Sequence, residues 1–186
     1  MKTNKNRGDA RLVIILSVVA VLVAVGGTLL AIRIIGDRKF TKGEIDENNV
    51  YVNRWADLRY EIPDGYKRQK RDDQWLFANS QNRAFSIMVE EEGTIDEAWE
   101  SLKYVFQLMS SFGGSRVAVN VGGDTTEQIG GYDYKSCTAS FTAAGQTYYM
   151  KIIGRQVRKK GVVAFCFLTP SKGEFDMFET NIRSYR

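Results

Sequence analysis

Hydrophobic positions along this 186-residue chain follow three successive patterns. The first is an unbroken run: Leu12 to Ile32 holds twenty-one residues without a charge, bounded by Arg11 and Arg33. At about 1.5 Å rise per residue, such a run matches the ~30 Å hydrocarbon core of a bilayer. It exceeds the roughly 7–15 apolar residues of a cleavable signal peptide, and Leu29 to Gly36 offers no A-x-A-like cleavage site. No Cys lies nearby to accept a lipid. The expectation is a basic tail over 1–11 and an uncleaved transmembrane signal anchor over 12–35. A polar connector without sustained apolar period follows over 36–50 and reads as a stalk.

The third pattern, over 51–186, alternates apolar and polar residues as one soluble domain of ordinary size does. Leu58 to Ile62 predicts a half-buried strand, ended by the turn residues Pro63-Asp64-Gly65. Trp75 to Ala78 and Ala84 to Val89 predict a hairpin closed by the polar loop Asn79 to Arg83, with Glu90 to Gly93 ending it. Thr94 and Glu97 have capping-box spacing, and Ile95, Ala98, Leu102, Val105 and Met109 then recur at helical intervals. That helix ends by Gly113-Gly114. Beyond it, Arg116 to Val121, Tyr132 to Ala143, Thr147 to Val157 and Val162 to Thr169 read as strands, the last three as an antiparallel meander. The glycine pairs 122–123 and 130–131 and the Asp124 to Glu127 stretch between them read as turn chemistry. After Pro170, Ser171 and Glu174 repeat the capping-box spacing, and Phe175, Phe178, Ile182 and Tyr185 predict a short closing helix.

This order of strand, I-P-D-G-Y turn, hairpin, helix, meander and closing F-x-x-F helix resembles the PsbP-like superfamily. That group includes the photosystem II extrinsic subunit, DcrB-type envelope proteins and a Ran-binding nuclear import factor. The residues that carry the resemblance are Leu58 to Tyr66, Trp75, Phe85 to Val89, and Phe175 with Phe178 and Ile182. It implies an α+β fold: a central antiparallel sheet flanked by two helices, an α/β/α sandwich behind the transmembrane helix. It also implies a domain that binds or docks, since the superfamily has no shared active site. The metal-binding roles of its photosynthetic branch do not carry over, because this chain has no histidine and matches no ligand motif there.

Absence of histidine reaches further. It removes the usual general base at neutral pH, the Ser-His-Asp and Cys-His arrangements, and imidazole metal ligands. No P-loop, dinucleotide-binding glycine motif, zinc-ligand spacing or EF-hand loop is present, so no cofactor is expected. The net charge of +4 belongs to the N-terminal segment: residues 37–186 hold 21 Lys and Arg against 21 Asp and Glu. A neutral domain gives no broad electrostatic case for nucleic acid.

Two cysteines, Cys137 and Cys166, invite a disulfide. With turns near 144–145 and 159–160, both face residues 152–154 of the strand between them. They then stand two strand spacings apart, about 9–10 Å, beyond the ~7 Å reach of a bridge. Two buried thiols are expected. The acidic group Glu90, Glu91, Glu92, Asp96 and Glu97 has oxygens for calcium, but negative charge at a helix start is also what its cap and dipole favour. No metal site is assigned.

Two basic clusters stand out on the neutral domain: Lys67, Arg68, Lys70 and Arg71, and the set Arg155, Arg158, Lys159 and Lys160 around a hairpin tip. Asp72 and Asp73 partly neutralise the first. The second is the candidate contact for a protein or an anionic envelope partner; charges that keep strand edges from pairing are the plainer reading of both. Lys and Arg counts tie across the anchor, four on each side. The terminal amine, the near absence of acid in the tail and the long C-terminal domain favour an N-terminus in the cytoplasm. The expectation is a single-pass, membrane-anchored, extracytoplasmic binding or scaffold domain with no catalytic residues. Its alternatives are a small hydrolase or transferase using carboxylates or Ser-Lys chemistry, and a cytoplasmic membrane adaptor.

Overall fold

The computed structural model describes residues 43–69, 75–102, 119–143 and 146–185. Its first half contains β1 (Glu44–Ile45), β2 (Val50–Asn53), β3 (Leu58–Glu61), β4 (Lys67–Gln69), β5 (Trp75–Ala78) and β6 (Ala84–Glu90), then a helix α1 over 95–102. The second half contains β7 (Val119–Val121), β8 (Thr125–Ile129), β9 (Tyr132–Ala143), β10 (Gln146–Gln156) and β11 (Val162–Thr169). A single helical turn at Lys172–Glu174 leads into α2 (Phe175–Glu179) and β12 (Ile182–Arg183).

Among the described residues every strand pairing is antiparallel, and the strands divide into two sheets. The large sheet runs β4-β5-β6-β11-β10-β9-β7, with β8 lying along β9 as well; the small one runs β1-β2-β3-β12. Alternation along the long strands sends their side chains to two cores. On one face Tyr134, Ile153, Val163, Phe165 and Phe167 pack against Tyr51, Leu58 and Tyr60 of the small sheet and Phe178 of α2. On the other, Cys137, Phe141, Tyr148, Met150, Ile152 and Cys166 pack against Trp99 and Leu102 of α1. Fully burying one such large apolar side chain contributes about 1.5–3 kcal/mol. Phe167 and Phe178 stack with ring centroids 4.9 Å apart, and Phe77 and Phe85 at 4.7 Å, so much of the first core is aromatic.

The meander, the first hairpin and the helix start stand where the hydrophobic pattern puts them. The Thr94 capping box forms, with Thr94 N–H donating to Glu97 at 3.1 Å and Glu97 N–H donating to the Thr94 hydroxyl at 3.2 Å. Only residues 95–102 of that helix are described. Cys137 and Cys166 both pair with Ile152, one from each side, and no disulfide links them.

The expected central sheet with two flanking helices does not hold. One face of the large sheet is covered by a second sheet, and among the described residues helix is confined to α1, the turn at Lys172–Glu174 and the five residues of α2. The closing helix stops at Glu179 because Ile182 and Arg183 pair with Tyr60 and Arg59, which turns Ile182, the third of its four expected apolar positions, into a strand residue and leaves Tyr185 beyond the strand. Ser171 makes no side-chain cap; Glu174 bonds Arg83 instead. The small sheet also draws on the expected stalk, since Glu44 and Ile45 pair with Val52 and Tyr51. Of the stretch Asp124 to Glu127 read as turn chemistry, Thr125 to Glu127 belong to the strand Thr125–Ile129, paired along β9 and joined to it by Gly130-Gly131, both at positive φ as a two-residue hairpin turn requires. The expected span over 12–35 lies outside the described residues, and among those residues no helix is long and apolar enough to cross a membrane.

Candidate functional site

The four cations of the candidate tip divide between interior and surface. Arg155 lies on β10 with Ile153 on the face turned to the small sheet, and only 6% of it is exposed. Its guanidinium donates to the Ala56 carbonyl at 2.6 Å, the Asp57 carbonyl at 3.2 Å and the Tyr134 hydroxyl at 3.1 Å. The same group lies over the Tyr132 ring, 4.0 Å from its centroid. Asp57 in turn accepts from the Tyr132 hydroxyl, the Ser184 hydroxyl and the Tyr185 amide. Arg155 therefore joins β10 to the β2–β3 turn and the C-terminal segment from within.

Arg158, Lys159 and Lys160 stand outside, exposed on the β10–β11 turn. Arg158 is left-handed at φ 56° and sits over the Trp55 ring, 5.1 Å from its centroid. Gly161, at φ 132°, closes the turn by accepting from the Val157 N–H at 2.8 Å, and its own N–H donates to the Gly93 carbonyl at 2.8 Å, tying the turn to the loop before α1. A Cβ there would run into the Trp55 ring and approach the Glu90 carbonyl to 2.8 Å, so glycine is required by both conformation and space. Beside this tip, exposed Arg54 lies over the Tyr185 ring at 5.5 Å and pairs with Glu44 at 3.7 Å. The result is one end of the molecule on which cations and aromatic rings alternate. The tryptophan and Arg54 were not singled out from the sequence; their only signal was position, at the β2–β3 turn.

A second charged group lies inside. Lys151, its side chain 10% exposed, donates to Glu127 at 2.7 Å and pairs with Glu179 at 2.5 Å, tying β8, β10 and α2 together. Burial works to lower the Lys151 pKa, but the bonds to both carboxylates outweigh it and leave the ammonium favoured. The two carboxylates diverge. Burial raises both, but Glu127, the more exposed, is brought below the usual carboxylate range by Lys151 and Ser136, whereas the deeper Glu179 stays above it. For Ser-Lys chemistry the lysine must first give up its proton, and two adjacent carboxylates oppose that.

Two hollows border the sheet. A pocket of about 30 Å³ lies between α1 and the large sheet, lined by apolar groups that include Met88, Trp99 and Ile152. A cleft of about 240 Å³ over Thr138, Ser140, Tyr149, Lys172 and Phe175 is wider, and Lys151 does not line it. Of the acidic group, Glu97 is engaged in the helix cap, Asp96 pairs with Lys135 and Glu90 is buried. Among the described residues no three His, Cys, Asp or Glu gather to hold a metal ion. Burial pushes the Cys166 thiol up to about 12, with Cys137 adding to the effect. Lys67 and Arg68 of the first basic cluster are exposed on β4; Lys70 and Arg71 lie outside the described residues.

No protein-family profile matches the sequence, and neither does any curated protein. Solved structures do. The solution structure of cyanobacterial PsbP (CyanoP) from Synechocystis sp. PCC 6803 superposes with a TM-score of 0.55 and 10% identity, covering 78% of this chain and 98% of that one. LpqN, involved in cell envelope biogenesis of Mycobacterium tuberculosis, superposes with a TM-score of 0.45 and 11% identity, covering 77% of this chain and 85% of LpqN. The first likeness gives residues of this chain a PsbP-like fold, as the pattern around Leu58 to Tyr66 and Phe175 to Ile182 implies. At 10% identity it speaks for fold alone.

Proposed function

We propose that this protein is a non-enzymatic binding domain of the cell envelope, held at the membrane through its uncharged run and presented on the extracytoplasmic side. The observation that carries the reading is the division of its cations. Arg155 and Lys151 are consumed inside the fold, whereas Arg158, Lys159 and Lys160 stand exposed around Trp55. Aromatic rings interleaved with exposed cations form a surface suited to contact with an anionic partner. The sequence supports the tether, because twenty-one uncharged residues between Arg11 and Arg33 are long enough to enter and cross a bilayer.

Protease digestion of intact cells that express the full chain with a C-terminal tag tests the location. Loss of the tagged domain while a cytoplasmic control survives is the expected result. Protection until lysis would overturn the orientation and send the search for partners to the cytoplasm.

A further inference from the structure

We infer that the end of the domain bearing Arg54, Trp55, Arg158, Lys159 and Lys160 docks on the anionic headgroups of the same bilayer that holds the chain. The inference rests on the tethered reading above and adds to it an orientation and a ligand. Its first support is where the chain enters the fold. β1 starts at Glu44, beside Arg54, and it runs antiparallel to β2, so the chain arrives at the end that carries the β2–β3 turn and the β10–β11 tip. Only the residues from Gly36 to Lys42 separate the apolar segment from the first described residue. Fully extended they reach about 25 Å, which keeps this end of the domain close to the membrane surface.

The second support is chemistry. Arg54, Arg158, Lys159 and Lys160 are exposed, and Trp55 and Tyr185 lie beneath two of them. Amphipathic aromatic rings favour the headgroup level of a membrane, and cations near its surface are drawn to anionic lipid. Glu44 neutralises part of Arg54, and Glu91 and Glu92 stand on the adjoining turn, so the attraction is modest. A short tether makes a modest attraction sufficient, because the headgroups are held at high effective concentration. A soluble wall polymer gains nothing from the short connector.

The full chain reconstituted in phosphatidylcholine vesicles, with or without about 30% phosphatidylglycerol, tests this. The readout is quenching of Trp55 emission by lipids brominated near the headgroup, with Trp55→Phe supplying the background from Trp75 and Trp99. The expected result is loss of most Trp55 emission in the anionic vesicles only. Arg158→Gln, Lys159→Gln and Lys160→Gln together, or about 0.5 M salt, restore it. Unquenched Trp55 in a chain that resists carbonate extraction overturns docking and leaves the tether standing. A chain stripped by carbonate overturns both. Unquenched Trp55 whose emission shifts on adding long-chain polyphosphate overturns the bilayer as ligand in favour of a soluble polyanion.

Discussion

Arg83 and Glu174 meet in a two-point ion pair, with Nε donating at 2.7 Å and Nη2 at 2.6 Å to the two carboxylate oxygens. Ninety-one residues apart in sequence, they clip the β5–β6 hairpin to the segment that leads into α2. The Thr169 hydroxyl adds a third contact to Glu174 at 2.7 Å. The bond from Arg83 is the main reason the Glu174 carboxyl is held below its usual range. A group with a lowered folded pKa contributes stability above its unfolded value, near 4.3, and loses it as pH falls through the folded value. Arg83→Leu and Glu174→Gln are each expected to cost about 1–2 kcal/mol near neutrality. In both, urea midpoints measured from pH 7 downward should fall less steeply than in the parent; an unchanged acid limb would show that the pair is not the source.

Arg155 is replaced at greater cost. Its fork serves two carbonyls and a tyrosine hydroxyl in a buried site, a geometry that lysine cannot copy. Arg155→Leu leaves those acceptors unpaired and should destabilise by about 2–4 kcal/mol, with Arg155→Lys recovering only part. Urea unfolding of the three proteins under one condition decides it; lysine equal to arginine would mean that charge alone matters there.

Lys151 lowers the pKa of both its carboxylates, but burial outweighs it at Glu179 and not at Glu127, so the two set opposite limits. Its own raised pKa supplies stability that is present below about pH 10.4 and is lost as pH rises through the higher folded value. Glu127, lowered, adds stability above about pH 4.3 that is lost on acidification, while Glu179, raised, gives up stability as pH climbs from about 4.3 through its folded value. Lys151→Met strands two acids and should cost about 3–5 kcal/mol. Adding Glu179→Gln to that variant should return part of the loss, and thermal midpoints at neutral pH report whether it does.

The turn at 157–161 yields a contrast between neighbours. Gly161→Ala forces a Cβ into Trp55 and a backbone carbonyl at a positive φ, and should destabilise by about 1–3 kcal/mol. Arg158→Gly relieves a left-handed arginine and should be neutral or stabilising by up to about 1 kcal/mol. Paired thermal melts test the sign of each.

The cysteines should resist thiol reagents while the fold is intact. Cys166, with its pKa pushed to about 12, presents almost no thiolate at neutral pH. Reagent uptake that appears only with unfolding is expected, and oxidation of the native protein should yield no intramolecular bridge.

The meander could be read because Tyr132–Ala143 alternates and Val162–Thr169 is a short apolar run unbroken to Leu168, both between clear turn residues, and the same register correctly separated the cysteines. Thr125–Ile129 escaped because T-T-E-Q-I has only one apolar residue; its pairing comes from an available edge of β9 and not from its own pattern. Ile182 kept helical spacing from Phe178 yet entered a strand, since Tyr60 across the small sheet offered it a partner that no local spacing reveals. At the candidate tip, Arg158 to Lys160 were visible as a charged turn. Arg155 needed the step of following alternation through Lys151, Ile153 and Arg155, which share a face with the core. Trp55 and Arg54 join the tip only through folding, from a turn about a hundred residues away in the chain.

Among the described residues the large sheet ends at β4, where Lys67, Arg68 and Gln69 all face water and Arg68 covers the Trp75 ring at 3.8 Å. A bare strand edge offers amides and carbonyls to any chain that comes alongside. Here a second copy laid edge to edge would bring cations against cations. Like charge at Lys67 and Arg68 thus opposes pairing along this edge, so the strand carries its own guard against extension of the sheet.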